Sequence, residues 1–552
     1  MKSAKTSRSG LFFQNLGAIL IAAVLFAASF PNILIEGGVP LLAWIAWVPM
    51  FWVIHRVSLA GSVFWGALYG YAAYALFNYW LGAFHPLAPL IVGIIYLMYF
   101  AVLFPLFKLA LILFPRRGYL VQWIIWLAYE YLRTQGFLGY PYGISGYSQW
   151  SVLPLIQSAS IFGVWGISAL VVFPSAYIAA ALRDWPGTAS LRGPSGADAG
   201  CLSALGRFFL RERLPACLWL GALAGTFVYG LIAPADYAAA PAARIALIQH
   251  NTDPWKGGIA EYRDNYRVLK RLSLEALAAE PKPDLVVWSE TAFVPRIDWH
   301  TKYRGDAAYW TLVKELLDFL KTQDVPFVIG NDDARRDPAK NPQGDHRVDY
   351  NAVMLFNRGE QAGLYRKMHL VPFTEYFPYR KQFPRVYGLL EKSDTHLWEP
   401  GEEATVFETG DLKFSSPICF EDTFGYLSRN FVRNGAELIV NLSNDAWSKS
   451  VPAQMQHLGM AVFRAVENRR SMVRSTASGQ TCGIDPNGRI LAMAAPFTEA
   501  ALTVEVPIVQ TETLYTRFGD IWAQIFVGLA VCMLLAGAVR GILLKTSGGK
   551  GL

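Results

Sequence analysis

Seven apolar runs crowd the first 234 residues, and an eighth lies close to the C-terminus. A bilayer core of roughly 30 Å needs about 20 mainly apolar helical residues to cross it. The runs fall at residues 11–30, 39–54, 61–84, 90–114, 120–132, 153–182, 216–232 and 521–539. Between the seventh and the eighth, the chain is charged like an ordinary soluble protein. This pattern predicts a multi-pass α-helical membrane bundle of about eight spans, interrupted by one water-soluble domain. The expected partition is a seven-helix bundle over 1–234, a soluble domain over 235–514, and a last span with its tail over 515–552.

Charge fixes an orientation. The 552 residues carry 49 Lys+Arg and 42 Asp+Glu. Of these, 33 basic and 37 acidic residues fall between 235 and 520, so the net positive charge belongs to the membrane part. Lys2, Lys5 and Arg8 precede the first run, and Arg56, Arg116, Arg117 and the group from Arg183 to Arg213 follow the second, fourth and sixth. Arg540, Lys545 and Lys550 follow the last, whereas the alternate loops at 31–38 and 85–88 have no Lys or Arg. With eight spans the positive-inside rule puts both termini in the cytoplasm and 235–520 outside it. Arg133 is the exception, at the outer end of the fifth run. The basic residues are dispersed among short loops and form no stripe on the soluble domain, so nucleic acid is not an expected partner. A basic start followed by Phe-Ala-Ala-Ser also fits a cleaved signal peptide, but the length of the apolar run favours a retained span.

The soluble stretch alternates strand-like and helix-like segments. Strands are expected at 243–250, 284–288, 326–330, 352–357, 361–366 and 437–442, helices near 259–279, 308–322, 424–434 and 455–468, and a closing hairpin through Asp485-Pro-Asn-Gly. Such alternation predicts an α/β fold with helices packed outside the sheets. Three chemically capable residues sit at or near the ends of strand-like runs: Glu290, Lys367 and Cys419. Base, cation and thiol are the parts of an acyl-transfer site. The thiol needs a base to become a nucleophile, and the tetrahedral intermediate needs a positive partner for its oxyanion. A nearby Lys367 is expected to depress the Cys419 pKa.

The cysteines pose an alternative. Cys201, Cys217 and Cys532 belong to the membrane part, leaving Cys419 and Cys482 in the soluble domain. In an oxidising compartment these two would be read as a disulfide, which would abolish nucleophilic chemistry. Their flanks differ, however, with Cys419 at a strand end and Cys482 approaching a turn. His369 or His457 could in principle partner the thiol in a papain-like site. No His, Cys or acidic cluster has metal-ligand spacing and no Gly-rich phosphate loop occurs, so neither a metal nor another cofactor is expected.

Taken in order, Trp288-Ser-Glu-Thr, Tyr365-Arg-Lys-Met-His-Leu-Val-Pro-Phe-Thr-Glu-Tyr-Phe-Pro, Ile418-Cys-Phe-Glu-Asp, Ser443-Asn-Asp-Ala-Trp, Gln456-His with Arg464-Ala-Val-Glu-Asn-Arg, and Arg474-Ser-Thr-Ala-Ser-Gly make a specific series. It resembles the nitrilase (carbon–nitrogen hydrolase) superfamily and, within it, the apolipoprotein N-acyltransferases, over nearly the whole chain. The resemblance implies an α-β-β-α sandwich placed on the periplasmic side of a bacterial inner membrane. It implies Glu290 as general base, Cys419 as nucleophile and Lys367 as oxyanion and orienting partner, with Glu375 and Glu421 as further acidic positions. Phe420 stands where many members carry Tyr, so no hydroxyl is required beside the nucleophile.

The implied reaction is ping-pong transfer. A fatty acyl chain passes from a membrane phospholipid, with phosphatidylethanolamine the expected donor, through a Cys419 thioester to the N-terminal amine of a diacylglyceryl apolipoprotein. A monomer is expected. Trp255 resembles a tryptophan the family uses near the lipid, though an interfacial anchor is an equal reading. Glu130 and Arg133, three apart on one helix face, are a candidate head-group site or a mutually neutralising pair. The Gly139-Tyr-Pro-Tyr-Gly loop with Tyr140 and Tyr142 is read as facing substrate. Two other functions remain open at this level: a membrane-tethered amidohydrolase with water as acceptor, and a non-catalytic membrane binding protein.

Overall fold

In the computed structural model, residues 8–183, 201–253, 256–340, 346–392 and 397–548 are described. The chain divides into two compact units, one of residues 1–135, 139–233 and 520–552 and the other of residues 136–138 and 234–519.

The first unit is helical. Among the described residues five helices are long and apolar enough to cross a membrane, with stretches Ser9–Ser29, Ala88–Leu113, Ala159–Leu182, Arg213–Ile232 and Ile521–Leu543. Helix Arg213–Ile232 buries Gly230 alone, so nearly its whole apolar surface faces outward, as a lipid-bathed helix requires and a water-soluble one does not allow. Four expected runs depart from a plain span, and residues 61–84 divide into helix Leu59–Phe77 and a 3₁₀ turn Tyr79–Ala83. Residues 39–54 form a 3₁₀ turn Pro40–Trp44 and a separate helix Val48–Arg56, with Pro40 and Pro49 each in the first turn of its element, where no N–H is needed. Residues 153–182 break into Leu153–Ile156 and Ala159–Leu182, with a further non-helical residue at Gly163. Helix Gly118–Leu132 has 15 residues, about 22 Å at 1.5 Å per residue.

The second unit is a two-sheet sandwich. Its strands are β1 Ala242–Gln249, β2 Leu285–Trp288, β3 Phe327–Arg336, β4 Arg347–Asn357, β5 Glu360–Arg366, β6 Val406–Thr409, β7 Leu412–Ser415, β8 Leu438–Ser443, β9 Ser471–Thr476, β10 Cys482–Ile484, β11 Ile490–Met493 and β12 Ala500–Pro507. One sheet runs β12-β1-β2-β3-β4-β5 and the other β11-β10-β9-β8-β7-β6. Each has a parallel centre, β1-β2-β3 and β7-β8-β9, with antiparallel strands outside it. The expected hairpin through residues 485–488 joins β10 to β11.

Central strands buried on both faces explain the continuous apolar runs. Ile245 and Leu247 of β1 face a core between the sheets with Val287, Val328, Leu438, Val440 and Val473. Ala246 and Ile248 face the other way, onto helices Ile259–Leu277 and Ala307–Lys321. The first of these helices buries Tyr266, Leu269, Leu272, Ser273 and Ala276, a stripe at helical period. The second is started by Asp306, whose carboxylate accepts from Ala308 N and Tyr309 N. Helices Gly425–Arg433 and Val451–Asn468 serve the second sheet, which completes helix–sheet–sheet–helix layering.

Candidate active site

Four strands of this unit end at one cluster of polar groups. Glu290 lies two residues past β2, Lys367 directly follows β5, Cys419 lies four past β7, and Asn444 directly follows β8. The carboxyl ends of parallel strands are where α/β sheets hold their ligands.

Lys367 is fully buried and its Nζ lies 3.3 Å from Glu290 Oε1 and 2.8 Å from Glu375 Oε1. Glu290, 7% exposed, also accepts from Asn351 Nδ2 at 2.8 Å on Oε1 and from the Asn444 backbone N–H at 2.8 Å on Oε2. Burial lowers the Lys367 pKa, but Glu290, Glu375 and Cys419 outweigh it and hold the ammonium well above its ordinary range. Glu375 both pairs with Lys367 and caps its own loop, accepting from Val371 N at 2.8 Å. Burial pushes its carboxyl up, against the pull of Lys367.

Glu421 binds the loops together. Its carboxylate accepts from Tyr365 OH and from the backbone N–H groups of Ile418, Met368 and His369 at 2.7–2.9 Å. It thereby ties the residues after Lys367 to the residue before Cys419. Burial raises its pKa to about 6. Phe420 is buried, its ring edge-on to Phe424 with 5.0 Å between centroids.

Cys419 departs from expectation in two ways. It is not a strand residue but begins a 3₁₀ turn Cys419–Thr423, with a left-handed φ of +48°. For a residue with a Cβ that conformation costs about 1–2 kcal/mol. The thiol pKa is also not depressed, since burial and Glu290 raise it well above its ordinary value and outweigh Lys367. Such a setting disfavours the thiolate, so chemistry at Sγ would call for a base beside it. The disulfide reading is set aside, because Cys419 and Cys482 are both free. The two histidines have other partners: His369 Nδ1 is 2.9 Å from Tyr426 OH, and His457 bridges Asp422 and Asp445.

The remaining candidates are in the helical unit or outside the described residues. Glu130 and Arg133 direct their hydrogen bonds to different partners. Glu130 Oε1 accepts from Trp126 Nε1 and from Ser145 N and Oγ, whereas Arg133 Nη1 donates to Tyr96 OH and to the Tyr140 and Tyr142 carbonyls. Together they brace the loop carrying Tyr140 and Tyr142, whose rings stack with centroids 5.0 Å apart. Trp255 lies outside the described residues.

Sequence reasoning passed over Asn351, the Asn444 amide and Gly330. A Cβ on Gly330 would lie 2.2 Å from Ser289 O and 2.8 Å from Glu290 Cα, so only glycine lets β3 pass Glu290 so closely. An isolated glycine inside an apolar strand was the available signal.

A sandwich with a buried carboxylate, ammonium and thiol at its strand ends defines a carbon–nitrogen hydrolase domain, and the Carbon-nitrogen hydrolase family model matches residues 244–515. A second model, the Apolipoprotein N-acyltransferase N-terminal domain, matches residues 22–177. The chain is 45% identical over 522 residues to Apolipoprotein N-acyltransferase 1 of Treponema denticola, covering 92% of this chain and 93% of that one. It is 46% identical over 557 residues to Apolipoprotein N-acyltransferase 1 of Treponema pallidum, covering 96% of both, and 32% identical to the Apolipoprotein N-acyltransferase of Geobacter metallireducens, covering 94% of both. The chain belongs to the apolipoprotein N-acyltransferase family and is an acyltransferase.

Proposed function

We propose that this protein moves a fatty acyl chain from a membrane phospholipid, through a thioester on Cys419, to the N-terminal amine of a diacylglyceryl-cysteine apolipoprotein, the final step of lipoprotein maturation. The observation that carries the reading is the buried Glu290–Lys367–Glu375 cluster at the strand ends where Cys419 also lies, in a chain of this family.

In the first half-reaction Glu290 takes the thiol proton as Sγ attacks the ester carbonyl. The Lys367 ammonium stabilises the oxyanion. Collapse breaks the ester C–O bond, and Glu290 returns the proton to the departing alkoxide, releasing a lysophospholipid. In the second, the amine attacks the thioester and its proton passes through Glu290 to the leaving thiolate, leaving an amide. Glu375 holds the Lys367 ammonium in place, and Glu421 holds the loop before Cys419. Phe420, which has no hydroxyl, lines the nucleophile's turn.

Both substrates are amphiphiles, which supports a membrane setting: about eight spans, both termini cytoplasmic, and the 235–514 domain on the periplasmic face of the inner membrane. Phosphatidylethanolamine is the proposed donor and a monomer the working form. Tyr140, Tyr142, Glu130, Arg133 and Trp255 are the proposed lipid-side residues.

The test is intact mass after incubation with phosphatidylethanolamine in detergent, with wild type beside Cys419→Ser. A hydroxylamine-labile acyl increment on wild type alone is expected. Free fatty acid with no transfer to an amine acceptor would instead favour hydrolysis, and bound lipid with neither product would sink the catalytic reading.

A further inference from the structure

Behind Cys419 lie four buried charged side chains that the reaction above does not use: Asp422, Asp445, His457 and Arg474. His457 Nε2 is 2.6 Å from Asp422 Oδ1 and its Nδ1 is 3.1 Å from Asp445 Oδ1. An imidazole between two carboxylates donates from both nitrogens only as the imidazolium. Arg474 reaches the same pair, bonding Asp422 Oδ2 through Nη1 and Asp445 Oδ2 through Nη2 at 3.4 Å. Each carboxylate thus takes one bond from each cation, closing a ring of two negative and two positive charges.

The position of the ring matters more than its existence. Asp422 belongs to the 3₁₀ turn that begins at Cys419. Asp445 accepts from Ser443 Oγ at 2.8 Å and adjoins Asn444, whose N–H is bound to Glu290 Oε2. The helix carrying His457 sends Arg464 to the same turn, donating to Thr423 O at 3.1 Å. The absent side chain of Gly479 leaves room for the ring, since a Cβ there would stand 2.6 Å from Asp445 Cβ.

We propose that Asp422, Asp445, His457 and Arg474 are positioning residues that act as a clamp. One end of the ring holds the backbone turn of the nucleophile, and the other holds the backbone amide that orients the base. Its effect is to fix Sγ and the Glu290 carboxylate at proton-transfer range. The inference rests on the roles proposed above for Cys419 and Glu290. A rival account gives the ring stability alone.

The two accounts differ in rate and in pH response. Burial pulls the His457 pKa down, but Asp422 and Asp445 take it up to about 9. The groups facing it are Asp422 from the nucleophile's turn, Asp445 from the turn after β8 and Arg474 from β9. Arg474 is held above its ordinary range, burial raises the Cys482 thiol beside it to about 12, and Asp445 is held at about 2. In the mildly alkaline range His457 is the member of the ring that changes charge. Its loss of a proton removes the imidazole's bond to one of the two carboxylates, which then keeps Arg474 but faces an unprotonated ring nitrogen.

The experiment measures single-turnover acylation of Cys419 by phosphatidylethanolamine in the full-length protein, with intact mass as readout, for wild type, His457→Asn and Asp422→Asn. A thiol label, read at Cys419 by peptide mass because Cys217 and Cys532 are also free and exposed, counts competent enzyme. The clamp predicts a fall of ~100-fold per competent site in His457→Asn, the scale of an ångström-level misplacement. The half-saturating lipid concentration should stay within about twofold, because the ring does not touch substrate. Wild-type acylation should decline above about pH 9. In Asp422→Asn, which is nearly isosteric and keeps an acceptor, the decline should begin at least about one pH unit lower. Unchanged rates per labelled site and an unmoved alkaline limb in Asp422→Asn would overturn the clamp and leave only the stability role. If wild type itself fails to acylate, the proposed reaction fails first, and the two failures are distinct.

Discussion

Two buried ionic clusters lie side by side in the sandwich, and they differ in arithmetic. The Glu290–Lys367–Glu375 cluster sets two carboxyl groups against one ammonium. The Asp422–Asp445–His457–Arg474 ring sets two against two. Burying charge costs several kcal/mol per ion unless partners offset it. A balanced ring settles that cost and has no reason to exchange protons at neutral pH. An excess carboxyl beside one ammonium does not settle, so the first cluster is where a proton can be taken and returned. Charge imbalance, more than burial, separates the part of the core suited to chemistry from the part suited to holding shape.

The strongest way to break this contrast is to remove the thiol beside the first cluster, or the cluster's own Glu290. Cys419→Ser should eliminate the hydroxylamine-labile adduct, and Glu290→Gln, which keeps the shape but cannot take the proton, should slow acylation by about 10²–10⁴-fold in the same mass assay. Next, Lys367→Met leaves Glu290 and Glu375 facing each other without a cation. Loss of activity should come with a stability loss of about 3–5 kcal/mol, read as thermal unfolding in detergent. The ring is tested by pH. His457 has its folded pKa raised from 6.5 to about 9, so its stabilisation is complete below pH 6.5 and is lost as pH rises through about 9. The full loss is on the order of 3 kcal/mol, and the thermal midpoint should fall between pH 7 and pH 10. Gly330→Ala should push Glu290 off its place and lower acylation by about tenfold to a hundredfold, with the half-saturating lipid concentration little changed. Smallest of all, Cys482→Ser should leave acylation within about twofold and cost about 1 kcal/mol.

The sequence was most legible where local chemistry and global fold agree. Strand-like runs such as 284–288 and 437–442 could be read because both faces of those strands are buried, leaving no alternation to confuse. Glu290, Lys367 and Cys419 could be singled out because each is a reactive type at the end of such a run, and the structure brings them to one place. What stayed hidden depends on pairing across distance. Nothing local in Ser443-Asn-Asp tells that the Asn444 amide turns to Glu290, or that Asp445 meets His457 twelve residues on and Arg474 beyond it. The thiol's raised pKa was missed for the same reason, since proximity to Lys367 is legible and the depth of burial is not. In the helical unit, apolar content foretold helices, but one run divides between Pro40 and Pro49, as another bends at residue 163.

The left-handed backbone at Cys419 also restricts which atom can attack from that position. A side chain branched at Cβ is more strained at a φ of +48° than an unbranched one, and although the chain holds Thr291 at +47°, a threonine at 419 would carry that added strain. Cysteine and serine, unbranched and nearly equal in size, both fit. For the acyl-enzyme proposed above, serine is the least strained replacement with which to test an oxygen ester in place of a thioester. Selection acting through single replacements at this residue meets the same strain.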